Sequence, residues 1–441
     1  MITLRDRLAD LADTAEQAPG DDHLVPGAAA LWERGVRRAR LRRSASVAAV
    51  AAVVVLVAAG LAVRTDPPAP LPADVPFERL HLPEQVRPPG TWSDAEAPAG
   101  PLAAVGLFLR TRPEGLFGER QSLEVFGVSA VDGRAGWLDL PGVSVESQGL
   151  VGWFALSPDG RWVGWTRHEE PRRAGASAPQ VGWSVLDTTT GEVRELADPR
   201  VRRVVDATDL AFSGDSRLLL TSHEVRSGPG PRSHRFVAFD VRTGERTVVE
   251  QPGEKWVPSF GSSPSGIVWS RGQTVHRLDP LTGERRARPL PQSVVVASWG
   301  PDDRAFAYVG RRPGAEGGRE RLYAGRSVAE ARDRALPLDV RPGQLLGWRD
   351  ERHVVVGHWR TTVRVVDVVT GESESVDLGS AASRYSAPLL AGDLWQNPMV
   401  PAVEQAGGSD PRRPYHLGAA VVGAAALVGL LWARRRRRVR G

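Results

Sequence analysis

Residues 154–166 read FALSPDGRWVGWT, with a Ser-Pro-Asp-Gly turn between two apolar runs. Asp-Gly supplies the positive φ that a tight hairpin turn requires, and the flanking aromatic and β-branched residues favour half-buried strands. The stretch therefore predicts a β-hairpin. Turns of the same kind recur at LAFSGDSRLLLTS (210–222), SFGSSPSGIVWS (259–270), ASWGPDDRAFAYV (297–309) and LLGWRDERHVVVG (345–357).

A second repeated element is an apolar strand that ends in a Thr-Gly-Glu turn. Its four copies contain Gly191, Gly244, Gly283 and Gly371, which lie 53, 39 and 88 residues apart. The last interval is about twice the others, so one copy has lost the motif, near residues 323–336. Repeats of about 40–50 residues are typical of propeller blades, whose four short strands cannot cover their own faces and must stack on neighbours.

We therefore predict an all-β fold, a β-propeller over residues 77–396, with six blades favoured and seven as the alternative. The segments 77–83 and 383–395 would either close the ring or pair as a degraded seventh blade. The six blades are expected near 91–141, 150–197, 206–250, 257–290, 294–338 and 343–379. The tryptophans expected to pack between blades are Trp153, Trp162, Trp183, Trp269, Trp299, Trp348 and Trp359.

The turn Ser157-Pro158-Asp159-Gly160 matches in full the SPDG motif of the WD40-like repeat, and the chain resembles TolB-type bacterial β-propellers over about residues 91–379. Two further copies match in part, since SGDS at 213–216 lacks the Pro and Gly and SPSG at 263–266 lacks the Asp. The resemblance implies the fold and leaves function open, because such propellers serve as binding platforms, sensors and enzyme domains.

Two uncharged runs flank the propeller, at 44–63 and 415–432. As helices they are about 30 and 27 Å long, close to the thickness of a bilayer's hydrocarbon core. Arginines precede the first run and follow the second, so the positive-inside bias predicts two transmembrane helices, both chain ends in the cytoplasm and the propeller outside a bacterial cytoplasmic membrane. This layout also resembles membrane proteins of actinobacteria. The remaining predicted segments are a cytoplasmic head (1–43), Pro-rich linkers (64–76 and 397–414) and an Arg-rich tail (433–441).

Charge and composition exclude several classes of protein. The chain has no Cys, which excludes disulfides, thiolate nucleophiles and zinc fingers. Its net charge of +5 arises at the ends, since residues 434–441 alone contain six Arg and the segment 44–433 is close to neutral. A nucleic-acid-binding domain would carry this charge on its own folded surface, so no nucleic-acid partner is predicted.

Searches for catalytic motifs find none. The hydrolase elbow, the P-loop, the dinucleotide-binding fingerprint and the EF-hand loop are absent from the sequence. His353 and His358 are five residues apart on one predicted strand and so point to opposite faces. Asp132-Gly133 and Asp159-Gly160 are best explained as hairpin turns. We therefore predict no catalytic residue, no metal site and no cofactor.

The head contains Leu4, Leu8 and Leu11 at i, i+4 and i+7, which predicts a helix with one apolar stripe. Forty-three residues cannot bury a core, so this stripe either binds a cytoplasmic protein or belongs to a tail that only sets orientation.

The favoured function is a membrane-anchored, non-enzymatic platform that binds or senses a small ligand or an envelope protein. One alternative is a transmembrane regulator, similar to anti-sigma factors, whose head holds a transcription factor. The other is an enzyme with its site at the mouth of the propeller.

Overall fold

The protein is described by a computed structural model in eleven ranges: 75–115, 117–143, 154–169, 180–198, 206–225, 233–250, 259–312, 319–357, 362–379, 387–405 and 408–438. All of them belong to the compact unit 70–441. The predicted head, with Leu4, Leu8 and Leu11, and the predicted span 44–63 lie outside the described residues.

The described strands form six antiparallel sheets, which we number as blades 1–6. Blade 1 contains β1 (Leu102–Glu114), β2 (Gly118–Ser129), β3 (Ala135–Trp137) and β23 (Leu389–Leu390); blade 2 contains β4 (Phe154–Leu156), β5 (Trp162–His168), β6 (Gln180–Asp187) and β7 (Val193–Leu196); blade 3 contains β8 (Asp206–Phe212), β9 (Leu218–Val225), β10 (Ser233–Asp240) and β11 (Arg246–Glu250). Blade 4 contains β12 (Ser259–Gly261), β13 (Ile267–Arg271), β14 (Thr274–Leu278) and β15 (Arg285–Pro289); blade 5 contains β16 (Ser293–Trp299), β17 (Phe306–Arg311) and β18 (Arg321–Gly325); blade 6 contains β19 (Gln344–Trp348), β20 (His353–Gly357), β21 (Thr362–Asp367) and β22 (Ser373–Asp377).

The blades form a closed ring. The inner strands β23, β4, β8, β12, β16 and β19 contact one another in this order, and β19 packs against the 3-10 helix Gly392–Gln396 that follows β23. Strand β23 pairs with β1 through Leu389 and Leu390, so the C-terminal segment supplies the innermost strand of the first blade. The six-bladed propeller is thus confirmed, and residues 387–395, the described part of the segment 383–395, have the ring-closing role.

The seventh-blade alternative is wrong within the described residues. Instead of pairing with the C-terminal segment, Phe77–Arg79 forms a single 3-10 turn, and Pro83 makes one isolated parallel bridge to Val400. The side-chain amide of Asn397 donates to the carbonyl oxygens of Phe77 (2.7 Å) and Leu80 (2.8 Å). These bonds hold the first described segment at the closure point.

The Ser-Pro-Asp-Gly turn between the first two strands of a blade is closed by its own side chains. In blade 2 the Ser157 hydroxyl donates to Asp159 Oδ1 (2.5 Å) and accepts the N–H of Trp162 (2.8 Å). Blade 3 repeats the pattern with Ser213, which donates to Asp215 Oδ1 at 2.5 Å. Since all of these partners lie within six residues, the motif specifies its turn locally.

The Thr-Gly-Glu turn between the third and fourth strands depends on an Asp four residues before the Gly. In blade 2, Asp187 Oδ1 accepts the N–H of Thr189 at 3.0 Å, and Gly191 has φ +75°. The equivalent carboxylates of blades 3, 4 and 6 are Asp240, Asp279 and Asp367. This Asp is an Asx-turn acceptor that the sequence reading did not single out.

An ion pair joins the two turns in three blades. The Arg that follows the first turn contacts the Asp that begins the second, as in Arg161 with Asp187 (2.9 Å). The equivalent pairs are Arg217–Asp240 (2.9 Å) and Arg352–Asp367 (2.5 Å). In each case hydrogen bonds and the guanidinium hold the pKa of the Asp below its usual range, against the opposing effect of burial.

Departures from the repeat have steric reasons. In blade 3 a Cβ on Gly214 would lie 2.0 Å from the carbonyl oxygen of Ser263, so the close approach of blade 4 excludes the Pro of the motif. Ser216 takes the left-handed position of the motif's Gly, with φ +59°. In blade 5 the fourth strand is replaced by helix α1 (Val328–Ala331) and by one bridge, Tyr323 to Ala335. This is the place where the Thr-Gly-Glu motif was predicted to be lost.

The core lies between blades, as predicted for the tryptophans. Trp183 and Trp269 are fully buried, and Trp183 packs at 5.5 Å from the Phe239 ring of blade 3. Trp162, Trp299 and Trp348 are between 5% and 7% exposed. Each buried large side chain contributes about 1.5–3 kcal/mol to folding. Trp153 and Trp359 lie outside the described residues.

The segment predicted as the second linker, 397–414, packs along blade 1. Gln405 donates to the carbonyl oxygen of Gly133 (3.3 Å), and the Arg412 guanidinium lies 5.4 Å from the Trp92 ring and donates to the carbonyl oxygen of Gly118. Helix α2 (Arg413–Arg438) follows, so the run 415–432 is helical, but the described residues do not support its prediction as a transmembrane span.

In the part of the chain that the structure describes, no helix combines the length and the hydropathy that a membrane crossing requires. The side chains at positions 414, 422, 425, 430, 432, 433, 436 and 437 of α2 are outside the described set.

Two glycines with the same backbone conformation provide a test of the blade 1–blade 2 contact. Gly160 and Gly191 both have φ +75°, but a Cβ at Gly160 would lie 2.1 Å from the carbonyl oxygen of Leu102, whereas a Cβ at Gly191 meets nothing within 4 Å. We expect Gly191→Ala to lower the free energy of unfolding by about 1 kcal/mol, from backbone strain alone. Gly160→Ala should lower it by about 3–4 kcal/mol, because strain and overpacking add. Urea denaturation measures both, and equal losses would contradict the packing described here.

Candidate functional site

A cavity of about 460 Å³ lies on the propeller axis, at the face that carries the Ser-Pro-Asp-Gly turns. Its rim includes the second residue of that turn from four blades, and its walls are residues of inner strands. The rim residues are Pro158, Gly214, Pro264 and Pro301. The apolar wall residues are Phe77, Leu156, Trp299, Leu345, Leu346, Trp348 and Leu390. A volume of this size is typical of small-molecule sites.

Asp393 is the one ionisable residue in the described lining of this cavity. It belongs to the 3-10 helix after β23, and its backbone N–H donates to the carbonyl oxygen of Pro158 at 3.0 Å. Within the described residues, its carboxylate has no hydrogen bond and no ion pair. Ring closure therefore places a lone carboxylate in the lining of a cavity whose other described lining residues are uncharged.

The environment of Asp393 opposes ionisation. Burial, together with the negative charge of Asp159, raises the pKa of Asp393 to about 7. Asp159 itself accepts hydrogen bonds from Ser157 Oγ (2.5 Å) and from the N–H of Arg161 (3.0 Å), so it is engaged in its turn. Asp393 is thus the carboxyl group of this pair that is free to meet a ligand.

A second group of buried ionisable residues lies between blades 2 and 3. Asp198 is paired with Arg246 and lies 3.5 Å from Arg235 and 4.0 Å from His223 Nε2. His223 is fully buried against Trp183, and burial lowers its pKa to about 4, so this imidazole is neutral near pH 7. The two guanidinium groups balance the buried carboxylate, which makes the cluster an inter-blade ion-pair network.

A larger cavity, of about 700 Å³, lies at the outer side of blade 5, where the fourth strand is reduced to a bridge. Its lining comes from residues 319–342 of that single blade. Its acidic groups are already paired, Glu320 with Arg341 (3.0 Å) and Asp339 with Arg364 (2.8 Å). The axial cavity, with an unpaired charge and walls from several blades, is the stronger candidate site.

The sequence predicted none of the cavity residues as site residues: Pro158 was assigned to a turn, and Trp299 and Trp348 to packing between blades. Asp393 was read as part of a ring-closing segment, and nothing in GDLW indicates that its carboxylate faces a turn in blade 2. Of the histidines considered, His353 lies 2.9 Å from Asp350 and His358 is outside the described residues. Asp132-Gly133 and Asp159-Gly160 do form turns, with φ +69° and +75° at the glycines.

Comparison with known proteins finds only distant structural likenesses. No family model matches the chain, and no curated protein matches it. Similar solved structures include the β-propeller domain of the Trilobed protease from Pyrococcus furiosus, with 13% identity over 66% of this chain and 86% of that chain and a TM-score of 0.40. TolB from Acinetobacter baumannii has 13% identity over 66% and 67%, with a TM-score of 0.37. Oligogalacturonate lyase in complex with manganese has 13% identity over 64% and 85%, with a TM-score of 0.39.

These neighbours include a TolB protein and enzymes, and at these TM-scores the likenesses carry no argument about this chain.

The raised pKa of Asp393 predicts a pH-dependent stability difference. The pKa of Asp393 is about 7 in the folded protein rather than the ordinary 3.8, so the folded protein binds this proton more tightly than the unfolded chain does. The contribution of this proton to the free energy of unfolding is therefore lost as pH rises from about 4 to 7. Asp393→Asn removes the ionisation and should be more stable than the wild type at pH 8, by about 4 kcal/mol, and nearly equal to it in stability at pH 4.

Urea denaturation at both pH values measures this difference. Asp94→Asn is the matched control, since that side chain is 88% exposed. A wild-type-to-variant difference that is the same at pH 4 and pH 8 would show that Asp393 ionises normally.

Proposed function

We propose that this chain is a non-enzymatic binding platform whose ligand enters the axial cavity of the propeller. The observation that carries the proposal is the cavity itself, about 460 Å³ in volume, with walls from several blades and one unpaired carboxylate. Turns held by their own hydrogen bonds surround its mouth, so the site is pre-formed and a ligand need not order it.

Two substitutions at the same face test this function. Gln396 is exposed and lines the mouth, so Gln396→Trp should obstruct entry without disturbing the core. Leu281, 82% exposed in the Thr-Gly-Glu turn of blade 4, is outside the lining, and Leu281→Trp is the matched control.

The probes are three isosteres of different charge: choline, 3,3-dimethylbutan-1-ol and 3,3-dimethylbutanoate. We expect at least one to bind saturably to the full chain, as measured by tryptophan fluorescence, since Trp299 and Trp348 line the cavity. Gln396→Trp should weaken that binding at least tenfold, and Leu281→Trp should leave it unchanged. If no probe binds the wild type, or if Gln396→Trp binds normally, the axial cavity is not the site.

We also propose that the propeller is held at the outer face of a bacterial cytoplasmic membrane. The uncharged run 415–432 and the arginines 434–438 support this orientation. Helix α2 exposes more than half of each of its described large aliphatic side chains, an arrangement that requires an apolar cover. These side chains are Leu417, Val421, Leu427, Val428 and Leu431.

Reporter fusions test this location. Alkaline phosphatase, which is active only outside the cytoplasm, should be active when fused after Gly408 and inactive when fused after Gly441, because the second span would return the chain to the cytoplasm. Activity at both fusion points, with equal protein levels, would contradict the second crossing.

A further inference from the structure

We propose that the axial cavity binds an organic cation, an ammonium group on a small apolar body, with the Asp393 carboxylate as its counter-charge. This inference rests on the proposed function, since it names the ligand class of the same cavity. It depends on the position of Asp393, the character of the walls and the surrounding charges.

The carboxylate of Asp393 lacks a partner where other acidic groups of the propeller have one. Asp187, Asp240 and Asp367 each pair with an Arg of their own blade. The described residues offer Asp393 no such cation and no hydrogen-bond donor. A partly buried carboxylate without a partner is costly to ionise, and a bound cation would remove that cost.

The walls suit an ammonium group that is poorly solvated. Phe77 and Trp348 face the cavity, and aromatic ring faces attract cations. The Trp348 indole is held in place, because its N–H donates to Ser298 Oγ at 2.9 Å. The Arg277 guanidinium lies 5.4 Å from the Trp299 ring and pairs with Asp303. It therefore does not neutralise Asp393.

The charges around Asp393 also favour a cation. Asp159 contributes negative potential from the neighbouring turn. Strand β19, which packs against the 3-10 helix of Asp393, contains no titratable residue between Gln344 and Trp348. The turn that contains Phe77 carries Glu78 and Arg79, both exposed to solvent. An anionic ligand would therefore meet repulsion from two carboxylates.

Ionisation of Asp393 should control affinity. With a pKa of about 7, about one tenth of the free sites are ionised at pH 6 and about nine tenths at pH 8. If the cation binds the ionised form, its association constant rises about tenfold between these pH values. A neutral isostere should show no such change.

The experiment measures dissociation constants of choline, 3,3-dimethylbutan-1-ol and 3,3-dimethylbutanoate for the full chain at pH 6 and pH 8. We expect choline to bind at least tenfold more tightly than the neutral isostere at pH 8. Asp393→Asn should abolish this preference and its pH dependence, whereas Asp393→Glu should keep both because it keeps the charge. Thermal melting of each variant confirms that the propeller is folded, and Asp94→Asn is the surface control.

The outcomes separate this inference from the proposed function. Equal binding of choline and its neutral isostere, both blocked by Gln396→Trp, would overturn the cation preference and leave the cavity as a binding site. A cation preference that persists in folded Asp393→Asn would overturn the role of Asp393. Absence of saturable binding by all three probes would overturn both proposals.

Discussion

The ring closes where the two-residue strand Leu389–Leu390 pairs with β1, and burial of the apolar blade faces relies on this pairing. Every blade of the propeller has two apolar faces, and each face is buried only if a neighbouring blade covers it. One core cluster contains Leu82, Ala103 and Val355 together with Trp395, and so joins the start of the domain, blade 1, blade 6 and the closing segment. Without closure, blades 1 and 6 would each expose one apolar face to water.

The segment that closes the ring also supplies the charged residue of the axial cavity. After β23 the chain turns at Ala391, whose N–H donates to the carbonyl oxygen of Ala103 at 3.0 Å, and Asp393 follows within the next turn. The same short stretch thus closes the ring and supplies a carboxyl group whose burial opposes its ionisation. Under the proposed function, that carboxyl group would also select the ligand.

The face around the cavity is rigid because its turns are satisfied internally. Serine and aspartate side chains close the first turn of a blade, an Asx-turn begins the second, and an Arg–Asp pair links them in blades 2, 3 and 6. The proline and glycine residues that follow the serines then border the cavity. The repeated motif that forms the turns thus also supplies the residues at the rim of the axial cavity. A common fold can acquire a particular site in this way.

Turn motifs and strand patterns were enough to predict the propeller, the approximate blade positions, the missing repeat in blade 5 and the packing of described tryptophans between blades. These features depend on turn chemistry and strand periodicity, which act over a few residues. The number of blades, the need for Gly at position 214 and the approach of Asp393 to the turn of Asp159, 234 residues earlier in the chain, became apparent only in the folded protein. The physical reason is that these contacts exist only after the ring closes, and no local preference records which residues closure will place together.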